Sequence, residues 1–124
     1  MFQVASYETF QDGQVIFQEG THGDWIYLIE EGSVEISKNL KGRRVVVEVL
    51  TRGEIFGEMA FIAKMPRTAT ATAVGETTVG IIDRDYYDNE FNKLPADFRQ
   101  IFSTVATRLK NATEAVIRSV SVDG

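Results

Sequence analysis

The sequence has no cysteine and a single histidine, His22. Disulfides and thiolate chemistry are therefore excluded, and a His/Cys metal site has no ligands to draw on; only carboxylates remain to hold a cation. No apolar run approaches the ~20 residues of a membrane-spanning helix. The N-terminus lacks the basic start and apolar core of a secretion signal. Positive charge is scarce as well: 13 Lys and Arg against 18 Asp and Glu give a net charge of −5. With no basic tail and no run of Lys or Arg, the surface as a whole attracts neither nucleic acid nor anionic lipid. On these absences a cytoplasmic protein is expected, with no membrane span, no metal or cofactor, and no direct contact to nucleic acid.

What is present is a chain of 124 residues, 44% of them hydrophobic, which suffices for one domain around one core. From about residue 7 to 83 it reads as strands and turns. Short runs rich in aromatic and β-branched residues recur at Val15 to Phe17, Trp25 to Ile29, Val45 to Leu50, Ile55-Phe56 and Val79 to Ile82. Ser33 to Ser37 alternates apolar and polar residues, as a strand with one wet face does. Turn signals separate the runs at Asp12-Gly13, Glu19-Gly20, His22-Gly23-Asp24, Glu31-Gly32, Asn39 to Gly42, Arg52-Gly53 and Gly75. His22, in its Gly-flanked turn, is expected to face solvent. Trp25 and Tyr27, at strand spacing, are expected in the core. Many short strands so spaced predict a sandwich, jelly roll or barrel.

The period changes after Asp83. Asp83 can cap a short helix over Tyr86 to Asn92, and Pro95 suits the first turn of a second. In that second helix Phe98, Phe102, Val105, Leu109, Ala112 and Val116 follow one another at spacings of four, three, four, three and four, a heptad seam. The seam fits a helix packed on its own domain or a parallel helix pair in a homodimer, and the pattern alone leaves both open.

The stretch Phe56-Gly57-Glu58-Met59-Ala60-Phe61-Ile62-Ala63-Lys64-Met65-Pro66-Arg67-Thr68-Ala69 carries the chemistry. Gly57 lets the backbone approach a ligand. Glu58 to Ala63 has the composition of a one- to two-turn helix, whose free N–H groups attract an anion. Pro66 pushes Met65 into extended geometry. Arg67 to Ala73 then alternates as a strand, with Arg67, Ala69, Ala71 and Ala73 on one face, so that small side chains leave room beside the guanidinium. A guanidinium offers forked hydrogen bonds to a phosphate. Glu58 cannot face the same anion and must meet a donor such as a sugar hydroxyl. Taken alone, Glu58 and Arg67 would equally suit a surface salt bridge of little worth.

This stretch resembles the phosphate-binding cassette of the cyclic nucleotide-binding domain family, of the catabolite activator and cAMP-dependent kinase regulatory subunit type. The shared pattern is Phe-Gly-Glu, an apolar residue, Ala, a spacer, then Arg, a small residue and Ala. Asp12 to Ile16, Gly20 to Asp24, Tyr27 to Ile29 and Gly32 to Val34 are similar to the family's earlier turns and strands, so the resemblance runs from about Tyr7 to Val116.

The resemblance implies a mainly β fold, an eight-stranded antiparallel β-roll (a double-stranded β-helix or jelly roll) over about residues 7–83, with flanking helices over about 86–118 serving as lid and dimerisation element. It implies that Arg67 holds the cyclic phosphate, with backbone N–H groups of Gly57, Ala60 and Ala69 completing the cradle around Met59. Glu58 would accept the ribose 2′-hydroxyl. Ile36 and Val47 would line the base, Thr68 would reach phosphate or a syn guanine, and Thr113 would reach adenine from the last helix. The ligand is then cAMP or cGMP. Regulatory work of this kind needs no catalytic residue, and metal-dependent phosphodiesterases or cupin-type enzymes need more than one His. The 124 residues leave no room for a DNA-reading helix-turn-helix, so an effector protein or fused domain is expected to take the signal. A ligand-free relative kept as a protein–protein interaction module, or the sensor fragment of a transcription regulator, remains open at this point.

Overall fold

The computed structural model describes residues 2–123. The chain runs β1 (Val4–Phe10), β2 (Val15–Phe17), β3 (Tyr27–Leu40), β4 (Arg43–Thr51), β5 (Ile55–Phe56), α1 (Glu58–Ala63), β6 (Thr70–Ile82), α2 (Arg84–Asn92) and α3 (Ala96–Asp123). All strand pairings are antiparallel. The sheet is ordered β1-β6-β3-β4, with β2 on β6 and β5 on β3.

The described residues form six strands rather than the eight expected. The difference lies in β3 and β6, of 14 and 13 residues, each of which continues through what reads as a turn in the sequence. The β3–β6 register shifts between Ile29 and Glu31, where the extra residue is on β3, and again between Glu31 and Ser33, where the extra residues lie on β6 between Val74 and Thr78; such bulges bend both strands, and the one in β3 exchanges its faces. Tyr27 and Ile29 point inward before it, and Val34 after it. Gly32 makes the bend feasible. Its φ is +91°, and a Cβ there would lie 2.5 Å from Thr77 Oγ1 and 2.6 Å from the Glu76 carbonyl. The fully buried Thr77 hydroxyl secures the bend, within hydrogen-bonding distance of the Ser33 carbonyl (3.0 Å) and the Gly75 carbonyl (3.1 Å).

The core lies inside this folded sheet. Tyr27, Ile29, Val34, Leu50, Phe56, Ala71 and Val79 form it, with Phe17 and Ile36 packed against them. Tyr27 stacks on Phe56 at 5.1 Å between ring centres, and Phe17 lies 5.8 Å from Phe56. Tyr27 is core as expected, but Trp25 is not: it precedes β3, is 41% exposed, and donates its indole N–H to the Tyr27 hydroxyl at 2.7 Å. His22 is exposed.

The helices follow the capping signals. Asp83 caps α2, its carboxylate accepting from the Tyr86 amide at 3.2 Å, and α3 begins just after Pro95. Most of the heptad seam of α3 is left uncovered: Phe98, Val105, Leu109 and Val116 are 52–64% exposed, while the Phe102 ring lies 6.3 Å from the Phe91 ring of α2. The inward stripe is more polar. Ser103 donates to the Ile62 carbonyl of α1 at 3.2 Å, Ala106 and Ile117 are buried, and Glu114 pairs with Lys38 of β3.

Candidate functional site

A cavity of about 550 Å³ opens between α1, β3, β4, the segment before β6, and α3. That volume suits a small organic ligand. Its floor is the start of α1. Gly57 caps this helix with φ +87° and no side-chain cap, so the first-turn amides of α1 lack a side-chain acceptor. Glu58, Met59 and Ala60 follow it on the cavity wall. Glu58 is part-buried and forms neither a salt bridge nor a side-chain hydrogen bond among the described residues. The surface pairing with Arg67 that the sequence left open is therefore not made.

Arg67 sits opposite, and its setting corrects the sequence reading in two respects. The residue does not lie in a strand, because β6 starts only at Thr70. Its backbone is taken by the turn facing it: the Arg67 amide donates to the Thr21 carbonyl at 2.9 Å, and the Gly20 amide donates to the Arg67 carbonyl at 2.8 Å. Nor does the side chain project among methyl groups with all its N–H groups free. It is 3% exposed, donating from Nη1 to the Gly57 carbonyl at 2.9 Å and from Nη2 to the Trp25 carbonyl at 2.8 Å. The guanidinium carbon lies 4.2 Å from the centre of the Phe17 ring, a cation–π contact. A guanidinium has five N–H groups, so two fixed by carbonyls leave donors for a ligand in the cavity that Arg67 lines. Burial pulls Arg67 below its ordinary value, opposed by Tyr27, Asp24 and Glu58; the group stays charged. Burial likewise pushes the Tyr27 hydroxyl up, against the lowering effect of the Trp25 hydrogen bond.

The other candidates reach the same cavity from separate elements. Thr68 and Ala69 follow Arg67, Ile36 and Val47 come from β3 and β4, and Thr113 comes from α3. The structure thus brings together all ten residues singled out in the sequence. Ala71 and Ala73, expected on the Arg67 face, are core residues of β6 and do not line the cavity. The Thr68 hydroxyl lies 3.7 Å from Met59 Sδ. Thr113 donates its hydroxyl proton to the Leu109 carbonyl at 2.9 Å, which leaves its oxygen an acceptor toward the cavity.

Sequence reasoning missed Phe17, Lys38, Glu48 and Lys110, which also line the cavity. Lys38 had a signal. It shares the parity of Val34 and Ile36, both turned inward or part-buried, so period two placed a lysine on the buried face of a strand.

The sequence profile described as a cyclic nucleotide-binding domain matches residues 7–93. The chain belongs to the cyclic nucleotide-binding domain family. Among curated relatives, a cGMP-dependent protein kinase of Eimeria tenella is 40% identical over 87 residues, 70% of this chain and 8% of the kinase. A CRP-like cAMP-activated global transcriptional regulator of Mycobacterium tuberculosis is 28% identical over 115 residues, 92% of this chain and 51% of the regulator. Among solved structures, the cGMP-bound form of an EAL enzyme superposes with a TM-score of 0.79 at 28% identity, over 85% of this chain and 28% of the enzyme. This cyclic nucleotide-binding domain therefore spans about half the length, or less, of the curated relatives it matches. The fold agrees with the family at the level of a mainly antiparallel β architecture followed by C-terminal helices.

Proposed function

We propose that this domain is a sensor that binds cAMP or cGMP in the cavity between α1 and α3 and passes the binding event on through α3. One observation carries the reading. Arg67 and Glu58 line a single cavity, the first with N–H donors left over from its two carbonyl bonds and the second with an unpaired carboxylate. A donor-only cation and an acceptor-only anion on one cavity match a ligand that bears both a phosphodiester anion and a free hydroxyl.

In this reading Arg67 holds the cyclic phosphate together with amides of Gly57, Ala60 and Ala69, and Glu58 accepts the ribose 2′-hydroxyl. Met59 and Thr68 close the cradle. Ile36 and Val47 flank the base, and Thr113, left as an acceptor, faces an exocyclic amino group, which both purines carry. The two long bent strands each do the work of two, which reconciles six continuous strands with an eight-stranded roll.

The exposed seam of α3 supports a homodimer through this helix. The greater length of the relatives supports a fused domain or effector partner as the recipient of the signal. The ligand must bind one placement of α3 better than another for any signal to pass. No helix among the described residues is long and apolar enough to cross a membrane, and we place the sensor in the cytoplasm. Calorimetric titration with each nucleotide tests the reading.

A further inference from the structure

Lys38 is a buried cation that the proposed nucleotide contacts leave without a task. Its side chain is 8% exposed, yet its ammonium meets one carbonyl and one carboxylate: Nζ donates to the Thr68 carbonyl at 2.5 Å and lies 3.4 Å from Glu114 Oε1. Burying an ammonium is costly unless it is paired and hydrogen-bonded. The two partners belong to different elements, Thr68 to the segment between α1 and β6, and Glu114 to α3. Glu114 is also 3.8 Å from Lys110 on its own helix.

The contact with Thr68 has a geometric consequence. A trans peptide is planar, and its C=O and the next residue's N–H point in opposite directions. By fixing the Thr68 carbonyl, Lys38 fixes the direction of the Ala69 N–H. That amide lies outside the β6 ladder, which starts at Thr70, and has no backbone partner among the described residues. Ala69 lines the cavity.

We propose that Lys38 is a positioning residue: it holds the Thr68–Ala69 peptide with the Ala69 N–H free for the ligand, and through Glu114 it makes that peptide's position depend on α3. The proposal rests on the nucleotide-sensing reading and adds a physical link between ligand and helix. Linkage makes the link reciprocal. A displacement of Glu114 by the helix weakens ligand binding, and ligand binding holds Glu114 in place.

The test is calorimetry with cAMP and cGMP on the full chain and on Lys38→Met, Glu114→Gln and the double variant, with thermal unfolding of each as a check on folding. Lys38→Met is expected to weaken binding about tenfold, the size of one lost charged hydrogen bond. Glu114→Gln is expected to weaken it less. Because Glu114 acts through Lys38, the double variant is expected to bind no more weakly than Lys38→Met alone. Wild-type affinity in Lys38→Met, or effects that simply multiply in the double variant, overturns the proposal. Should Lys38→Met fail to fold, the part-exposed Glu114→Gln decides by amide NMR: the Ala69 resonance is expected to move, and an unmoved Ala69 overturns the proposal. A wild-type chain that binds neither nucleotide overturns the sensing reading instead. The Ala69 shift in Glu114→Gln then still decides whether Lys38 orients this peptide.

Discussion

Arg67 Nη1 donates to the Gly57 carbonyl at 2.9 Å, and a Cβ on Gly57 would stand 2.7 Å from that same nitrogen. The residue that caps α1 and the cation that faces it are therefore fitted to each other, and Gly57 is needed both for its φ of +87° and for its missing side chain. In Gly57→Ala the left-handed conformation alone is expected to cost about 1–2 kcal/mol, and the methyl must displace the guanidinium. Urea unfolding should show a loss at or above that range together with weakened nucleotide binding. An alanine variant with wild-type stability and affinity would mean that the guanidinium is not fitted this closely against residue 57.

Arg67→Ala is expected to lower cAMP affinity by roughly 1.5–3 kcal/mol for each charged hydrogen bond lost to the phosphate. Arg67→Lys is expected to recover little of this. A lysine ammonium is a point charge and cannot reach Gly57, Trp25 and a ligand with a fixed planar fork. Calorimetry on folded variants checks both, and unchanged affinity in either removes the guanidinium from phosphate binding.

Glu58→Gln keeps the shape of the side chain and removes its charge. A hydroxyl donating to a carboxylate gains about 1 kcal/mol over one donating to a neutral amide. Discrimination between cAMP and 2′-deoxy-cAMP is therefore expected to shrink in the variant. Equal discrimination by both proteins would place the ribose hydroxyl away from Glu58.

The seam of α3 predicts self-association. Val105 is 60% exposed, so Val105→Lys should leave monomer stability within about 0.5 kcal/mol while putting like charges opposite each other across a helix pair. Sedimentation should give a dimer for the wild type and a monomer for the variant. A wild type that stays monomeric at high concentration would leave this face to another partner.

Much of this architecture can be read from the residues. The Gly57-Glu58 pair, its spacing to Arg67 and the Asp83 cap are local signals, and the structure places them as local chemistry requires. What could not be read depends on contacts between distant segments. Glu31-Gly32 has turn composition, yet Thr77, far along the chain, binds Ser33 across the bend and keeps β3 continuous. Arg67 to Ala69 has strand composition, yet the Gln18–Thr21 turn takes the Arg67 backbone and Lys38 takes the Thr68 carbonyl, so β6 starts later. Trp25 has the spacing of a core residue but precedes the strand that would have buried it. The face of α3 that meets the domain combines buried Ala106 and Ile117 with Ser103 and Glu114, whose partners lie on α1 and β3, a mixed stripe that the apolar seam does not reveal.

The measurement that bears most directly on the account is isothermal titration of the folded, nucleotide-free chain with cAMP and then with cGMP. Saturable binding at micromolar or lower concentration to at least one of them, lost in Arg67→Ala, is the predicted result. No heat with either nucleotide at high concentration would contradict it and leave a domain that keeps the fold and the cavity for a different occupant.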